Sequence, residues 1–331
     1  MRITRAYCVD LDEIVTIDAA RREFLSIEPT PERFRFLCSD DACREAGVAV
    51  TGVNYTFNAE EGAKHVAAHF RAHNPEKHLP DCEWRKAAKG DASDEPLPGE
   101  TDEDARQRIA RRKLTDFVLS FDPTDREDVD GKSRSGKGSD GDNDGAGSDG
   151  HPRPTRPRAE GPAGGHASTR DLERLAESYR DARATLSDDE FRVLTLRVKK
   201  IGTLALGEYF QPLTRCSEAT ADRIIYGGAT LSDRYPKDGG RGFKLKFYDK
   251  IDNLPVYLYV SQADVDAYRH RKYLCGIVDK IPAHRFVRVF ANGVIRRSPS
   301  GKSYSVEISH PRHLALVLAE PKDNGKASAK E

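Results

Sequence analysis

Hydrophobic and polar positions alternate most regularly toward the C-terminal end of the chain. In "GFKLKFYD" (242–249), Phe243, Leu245 and Phe247 share one parity, and Lys244, Lys246 and Tyr248 the other. In "PVYLYV" (255–260), Val256, Leu258 and Val260 oppose Tyr257 and Tyr259, and in "RFVRVFANG" (285–293), Val287, Val289 and Ala291 oppose Phe286, Arg288 and Phe290. A period of two places these sets on opposite faces of strands. Further strands are expected at "RIIYGGATL", "SYSVEIS" and "HLALVLA", and a helix at "QADVDAYRHRKYLCGIVDKI" (262–281). "SPSG" (298–301) is a hairpin turn. Residues 222–319 thus read as strand, strand, strand, helix, strand, strand, with a short extra strand at the end.

Upstream the period changes. "STRDLERLAESYRDARATLSDDEFRVLTLRVKKIGTLALGEYFQPL" has helical spacing, with Ser168 or Thr169 and then Ser187 as N-caps, so 169–221 is expected to be a bracket of two or three amphipathic helices. Residues 89–168 read as an acidic, largely disordered linker, because Gly, Ser, Asp and Pro dominate after Asp122. One short helix-like piece, "EDARQRIARRKLTDFVLSF", interrupts it. Residues 1–88 mix short β-prone runs ("RITRAYCVD", "EIVTI", "FRFLC", "VAVTGVNYTF") with a helical "AARREFL". The expected fold class is an α+β N-terminal module, a disordered linker, the helical bracket, an all-β barrel and a disordered tail at 320–331.

Composition adds an asymmetry. The chain has 54 basic and 54 acidic residues, yet the part after residue 168 is roughly eight charges positive and the part before it roughly eight negative. Residues 223–313 hold about twice as many basic as acidic residues, which suits an anionic partner. The start, "MRITRAYCVDLDEIV", lacks the apolar core of a signal peptide, and no apolar run is long enough for a bilayer. Six cysteines in 331 residues are too sparse for a disulfide scaffold. A cytoplasmic protein without a membrane partner is the expectation.

The cysteines are not evenly spread. Cys38, Cys43 and Cys82 share one 45-residue window with His65, His69, His73 and His78, while Cys8, Cys216 and Cys275 stand apart. Thiolates and imidazoles are the donors of closed tetrahedral Zn²⁺ sites. Cys38 and Cys43 offer one chelating pair, and His78 with Cys82, around Pro80, the second. His69 or His73 is the alternative to His78. No H-E-x-x-H sequence supplies a general base, so a structural zinc is expected.

Phe36, Cys38, Cys43, His69-Phe70, His78 and Cys82 resemble the zinc-binding domain of competence-protein CoiA-like bacterial proteins, over less than a quarter of the chain. The Cys pair here is wider spaced, which leaves the ligand set open. Members often carry a nuclease domain, and none is visible here. The 222–319 pattern resembles the OB-fold, a small Greek-key barrel with a helix between its third and fourth strands. With the aliphatic parity inside, the outer face would carry Lys244, Lys246, Tyr248, Tyr257, Tyr259, Arg288 and Phe290, with Arg296, Arg297 and Lys302 around the last hairpin. Cations for phosphates and flat rings for bases suit single strands, DNA ahead of RNA. No P-loop or G-x-S-x-G elbow is present and no small-molecule substrate is expected. The expectation is a non-enzymatic single-stranded nucleic-acid-binding accessory of replication, recombination, a mobile element or phage defence. A protein–protein adaptor within a larger complex is the alternative, and a metal-dependent nuclease built on the histidine cluster is the second.

Overall fold

The computed structural model describes residues 2–27, 29, 32–58, 68–72, 74–85, 99–114, 117–124, 168–169, 171–237 and 239–322. The fold is mixed α+β and mostly sheet. Its N-terminal part comprises β1 (Arg2–Ile3), β2 (Arg5–Cys8), β3 (Glu13–Thr16), α1 (Ile17–Ser26), β4 (Phe36–Cys38), α2 (Asp41–Glu45), β5 (Ala49–Val53) and β6 (His69–Ala72). The strands pair antiparallel in the order β1-β6-β5-β4-β2-β3. Thr16 caps α1 by accepting the Ala19 N–H, one of the donors a helix start leaves unpaired. Phe24, Phe34, Phe36, Tyr55 and Phe70 pack edge-on and stacked beneath the sheet.

The middle part comprises α3 (Asp102–Arg112), β7 (Ser120–Phe121), β8 (Ser168–Thr169), α4 (Leu172–Thr185), α5 (Asp188–Arg192), β9 (Thr195–Val198), β10 (Gly202–Ala205), α6 (Leu206–Tyr209) and β11 (Phe210–Pro212). Two expectations are corrected here. Within the span assigned to a linker, residues 99–114 and 117–124 belong to the folded body: Ala110, Leu114, Phe117, Val118 and Phe121 are buried against α4. Their apolar side chains offset the entropy of ordering this piece. Residues 125–167 and 323–331 lie outside the described residues. The longer helices of the expected bracket lie in its first half, and its second half holds three strands with the short α6 between them. "TLRV" and "GTLA" form an antiparallel hairpin, β9–β10, turning through Lys200 and Gly202, both with positive φ. Leu196 and Val198 are buried while Arg197 is exposed, a period of two inside a window that reads at longer range as helical. Ser187 does cap α5, in a reciprocal box with Glu190, whereas α4 is capped by Asp171 instead of Ser168 or Thr169.

The C-terminal part comprises β12 (Ile224–Tyr235), β13 (Gly242–Ile251), β14 (Leu254–Val260), α7 (Gln262–Ala267), α8 (Arg271–Lys280), β15 (Val287–Asn292), β16 (Val294–Arg297), β17 (Tyr304–Glu307) and β18 (Leu314–Leu318). The strand order is β16-β17-β14-β13-β12-β15-β18, with β11 added parallel to β12. All these pairs are antiparallel except β14–β17 and β11–β12. Gly293 alone separates β15 from β16, and a Cβ there would collide with the Glu307 carbonyl oxygen. The expected single helix is two, broken between Ala267 and Arg271. Phe243, Leu245, Phe247, Val256, Leu258, Val287 and Val289 pack on Tyr273, Ile277 and Val278 of α8 in the inner core.

The opposite face of the sheet is divided. On β12, β15 and β18, the side chains of Tyr226, Phe290, Ala315 and Val317 pack into the core of the middle part, where α4 covers them. On β13 and β14, Lys246, Tyr248 and Tyr259 are exposed, and Lys244 and Tyr257 are half-buried. The N-terminal part docks through α1 against α4 and α8. Arg21, 3% exposed, contacts Glu177 at 2.5 Å and Glu173 at 3.5 Å, and Arg22 contacts Asp171 and Glu173 at 2.5 and 3.3 Å. Tyr273 donates to Glu173, and Glu23 receives Arg269 at 2.9 Å.

Candidate metal centre and candidate nucleic-acid face

Two local turns bring Cys38, Cys43, His78 and Cys82 together. Cys38 ends β4, and Asp40 then caps α2 by accepting the Cys43 N–H, so the chain doubles back and presents both thiols to one point. From the other side, the Cys82 N–H donates to the Leu79 carbonyl and the Arg85 guanidinium to the His78 carbonyl, closing the loop around Pro80. All four side chains are buried, and their donor atoms lie within 4.8 Å of one another. Cys38 Sγ is 3.8 Å from Cys82 Sγ, which is 3.4 Å from His78 Nδ1. The Leu79 N–H points at Cys43 Sγ from 3.3 Å.

Burial pushes the Cys38 and Cys43 thiols above their ordinary range, with the neighbouring Cys82 sulfur adding to it. Burial moves the His78 imidazole the other way, below its usual value, which keeps it neutral with a lone pair to give. Such thiols hold their protons until a cation displaces them. His78 Nε2 is buried with no hydrogen-bond partner. Around the cluster, Trp84 Nε1 donates to Ser39 Oγ at 2.9 Å, Ser39 to Glu83 at 3.1 Å, and Arg5 pairs with Glu83 at 3.3 Å. These supporting residues escaped the sequence reading, although Ser39 follows Cys38 directly and Glu83-Trp84 follow Cys82. Of the alternative ligands, His69 sits on β6 opposite Val53 and is not in the cluster, and His73 and His65 lie outside the described residues.

The second candidate site is the open face of β13 and β14. Directly paired residues form a row across five strands, Arg296, Ser305, Tyr257, Lys246 and Thr230. Beside it Lys244 pairs with Tyr259, and the Lys244 ammonium lies 4.1 Å from the centre of the Tyr257 ring. Tyr248 and Tyr259 are 57% and 51% exposed. Glu307 and Asp233 are the acids of the neighbouring row.

Three of the expected face residues stand elsewhere. Phe290 has the expected parity but is 1% exposed, stacked on Tyr226 and packed edge-on against Tyr179 and Phe210; its place beneath α4 excludes a ligand. Arg288 is half-buried over the Phe286 ring. Arg297 has the other parity, opposite Tyr304, and reaches the Gly301 carbonyl within the hairpin turn. Arg296 and Lys302 are exposed. Among the described residues no helix is long and apolar enough to cross a membrane. No family model, curated protein or solved structure gives a significant match to the chain.

Proposed function

We propose that this chain is a zinc-containing, single-stranded nucleic-acid-binding accessory protein of the cytoplasm. The observation that carries the binding reading is the row of exposed Arg296 and Lys246 with half-buried Tyr257 between them and Lys244 and exposed Tyr259 alongside, cations and rings interleaved at strand spacing. A strand of nucleic acid crossing β13, β14 and β17 would set phosphates against the lysines and stack bases on the tyrosines. An OB-like reading of the C-terminal sheet fits this use. Its support is the connectivity: β15 returns beside β12, bends at Gly293, and continues as β16 into β17, which lies parallel to β14. One bent strand then serves both flanks of the sheet.

Zinc is the metal the donor set favours. Three sulfurs and one imidazole are soft, and a tetrahedral ion with Zn–S bonds of about 2.3 Å places sulfurs about 3.8 Å apart. The Cys38–Cys82 separation of 3.8 Å meets that spacing. With all four positions taken by protein, the ion has a structural role, fastening the 78–82 loop to the β4–α2 turn. Several buried thiols also suit a reducing compartment.

The test is fluorescence anisotropy with a labelled single-stranded oligonucleotide at two salt concentrations. Taking about four phosphate contacts (Lys244, Lys246, Arg296, Lys302), the slope of log K against log salt is about −2.8. A fourfold rise in salt should then weaken binding roughly 50-fold. A protein adaptor with no affinity for nucleic acid would show no binding at low salt, and that result removes the reading.

A further inference from the structure

A second cavity lies away from the open face, between α4, α6, β11 and the first residues of β12. It measures about 510 Å³, within the range of pockets that enclose small molecules. Aromatic side chains back its wall: Tyr179, Phe191 and Phe210, only 8%, 6% and 1% exposed, pack on one another, Tyr179 stacked on Phe210 with ring centres 4.0 Å apart and planes 15° from parallel. Half-buried Tyr226 also lines it and its hydroxyl lies 3.3 Å from that of Tyr179. Three arginines stand on the lining, Arg183, Arg215 and Arg223, against one acid, Glu208.

The arginines are not equally committed. Arg183 contacts Asp188 at 3.3 Å and lies over the Phe191 ring. Among the described residues, half-buried Arg223 reaches only the carbonyl of Asp222 and exposed Arg215 makes no side-chain hydrogen bond or ion pair, so neither meets a carboxylate. A hydrophobic wall carrying unmatched guanidinium groups is suited to a ligand with a flat ring and a phosphate, because guanidinium forks bind phosphate oxygens in pairs and also stack on rings. We infer that this cavity binds a nucleoside monophosphate group, its base against the half-buried Tyr226 ring and its phosphate at Arg215 and Arg223. The group has two possible sources, a free nucleotide or the phosphorylated end of a strand. The inference does not rest on the strand-binding reading, since the two sites share no residue.

The test is isothermal titration of the full chain with purine and pyrimidine nucleoside monophosphates, the matching nucleosides, inorganic phosphate, and a short oligonucleotide with and without a terminal phosphate. Saturable one-to-one binding of a monophosphate is expected, with the nucleoside and the phosphate alone each weaker by at least about tenfold. Arg215→Glu with Arg223→Glu should remove that binding while Lys246→Ala leaves it unchanged. Competition by the phosphorylated oligonucleotide and not by its unphosphorylated form would identify a strand end as the source; competition by neither identifies a free nucleotide. No saturable binding of any monophosphate up to about 1 mM overturns the inference. So does inorganic phosphate binding as tightly as the nucleotide, or binding indifferent to the double substitution. Because the wild-type titration decides the first point, a poorly folding variant does not shelter the idea, and loss of single-strand affinity in Lys246→Ala reports on the other site separately.

Discussion

Removing the Arg21 guanidinium is the sharpest probe of how the N-terminal part is held. Arg21 is 3% exposed and its two partners, Glu173 and Glu177, have side chains only 9% and 10% exposed. Burial alone would lower the Arg21 pKa, but Glu177, Tyr273 and Glu173 outweigh it and keep the guanidinium charged. The same patch holds Asp18, whose carboxylate oxygens are buried without partners. Burial, then Glu177 and Asp171, push the Asp18 carboxyl well above its ordinary range. Arg21 and Arg22 face Asp171, Glu173 and Glu177, so removing Arg21 leaves one guanidinium against three carboxyl groups. Breaking a buried pair by deleting one partner costs about 3–5 kcal/mol, because the other charge is stranded. Arg21→Met is therefore expected to destabilise the chain by about that amount in urea unfolding followed by circular dichroism. Adding Glu177→Leu should restore much of the loss, since an apolar replacement of the whole pair is often near neutral. A loss below about 1 kcal/mol would place the pair in the class of solvated surface bridges and refute the docking argument. Strictly additive single and double variants would refute it as well.

Other expectations follow from the same structure. Purified chain should carry close to one equivalent of zinc by elemental analysis, and Cys38→Ser or Cys82→Ser should abolish it; His78→Cys should retain the metal, since it keeps four donors and removes the orphaned ring nitrogen. Tyr257→Ala should cost roughly 1–3 kcal/mol of single-strand affinity by anisotropy, whereas Phe290→Leu should leave affinity unchanged and lower thermal stability. Burial, then Arg22 and Arg269, push the His270 imidazole down to about 4. The unfolded chain therefore binds the proton first, and stability, full above about pH 6.5, falls as pH drops toward about 4, by roughly 3 kcal/mol at most. His270→Gln should flatten that part of a pH series of urea midpoints.

The open face and the donor cluster were legible because both rest on short-range regularity. Lys244, Lys246, Tyr257 and Tyr259 alternate with aliphatic residues, and alternation alone assigns a face. Cys38, Cys43, His78 and Cys82 stand out because donors are rare elsewhere in the chain. The linker bounds failed where Leu114, Phe117 and Phe121 anchor a piece whose neighbours are polar, and the bracket failed where β9–β10 hides a period of two inside a longer helical pattern.

What the sequence by itself determined is the two faces of the strands it located and a short set of candidate metal donors, Cys38, Cys43 and Cys82 with His78, His69 or His73, since pleat and donor chemistry are properties of the local chain. Which outward residues meet solvent was decided only by the tertiary structure. Phe290 and Tyr257 have the same parity, but α4 packs over one, whereas the other is half-buried, with the Lys244 ammonium over its ring. The buried charges of α1 and α4 and the arginine-lined cavity were likewise invisible, because Arg21 and Glu177 are 156 positions apart and only long-range packing makes them neighbours. Periodicity reports one element's faces; burial is a property of pairs of elements.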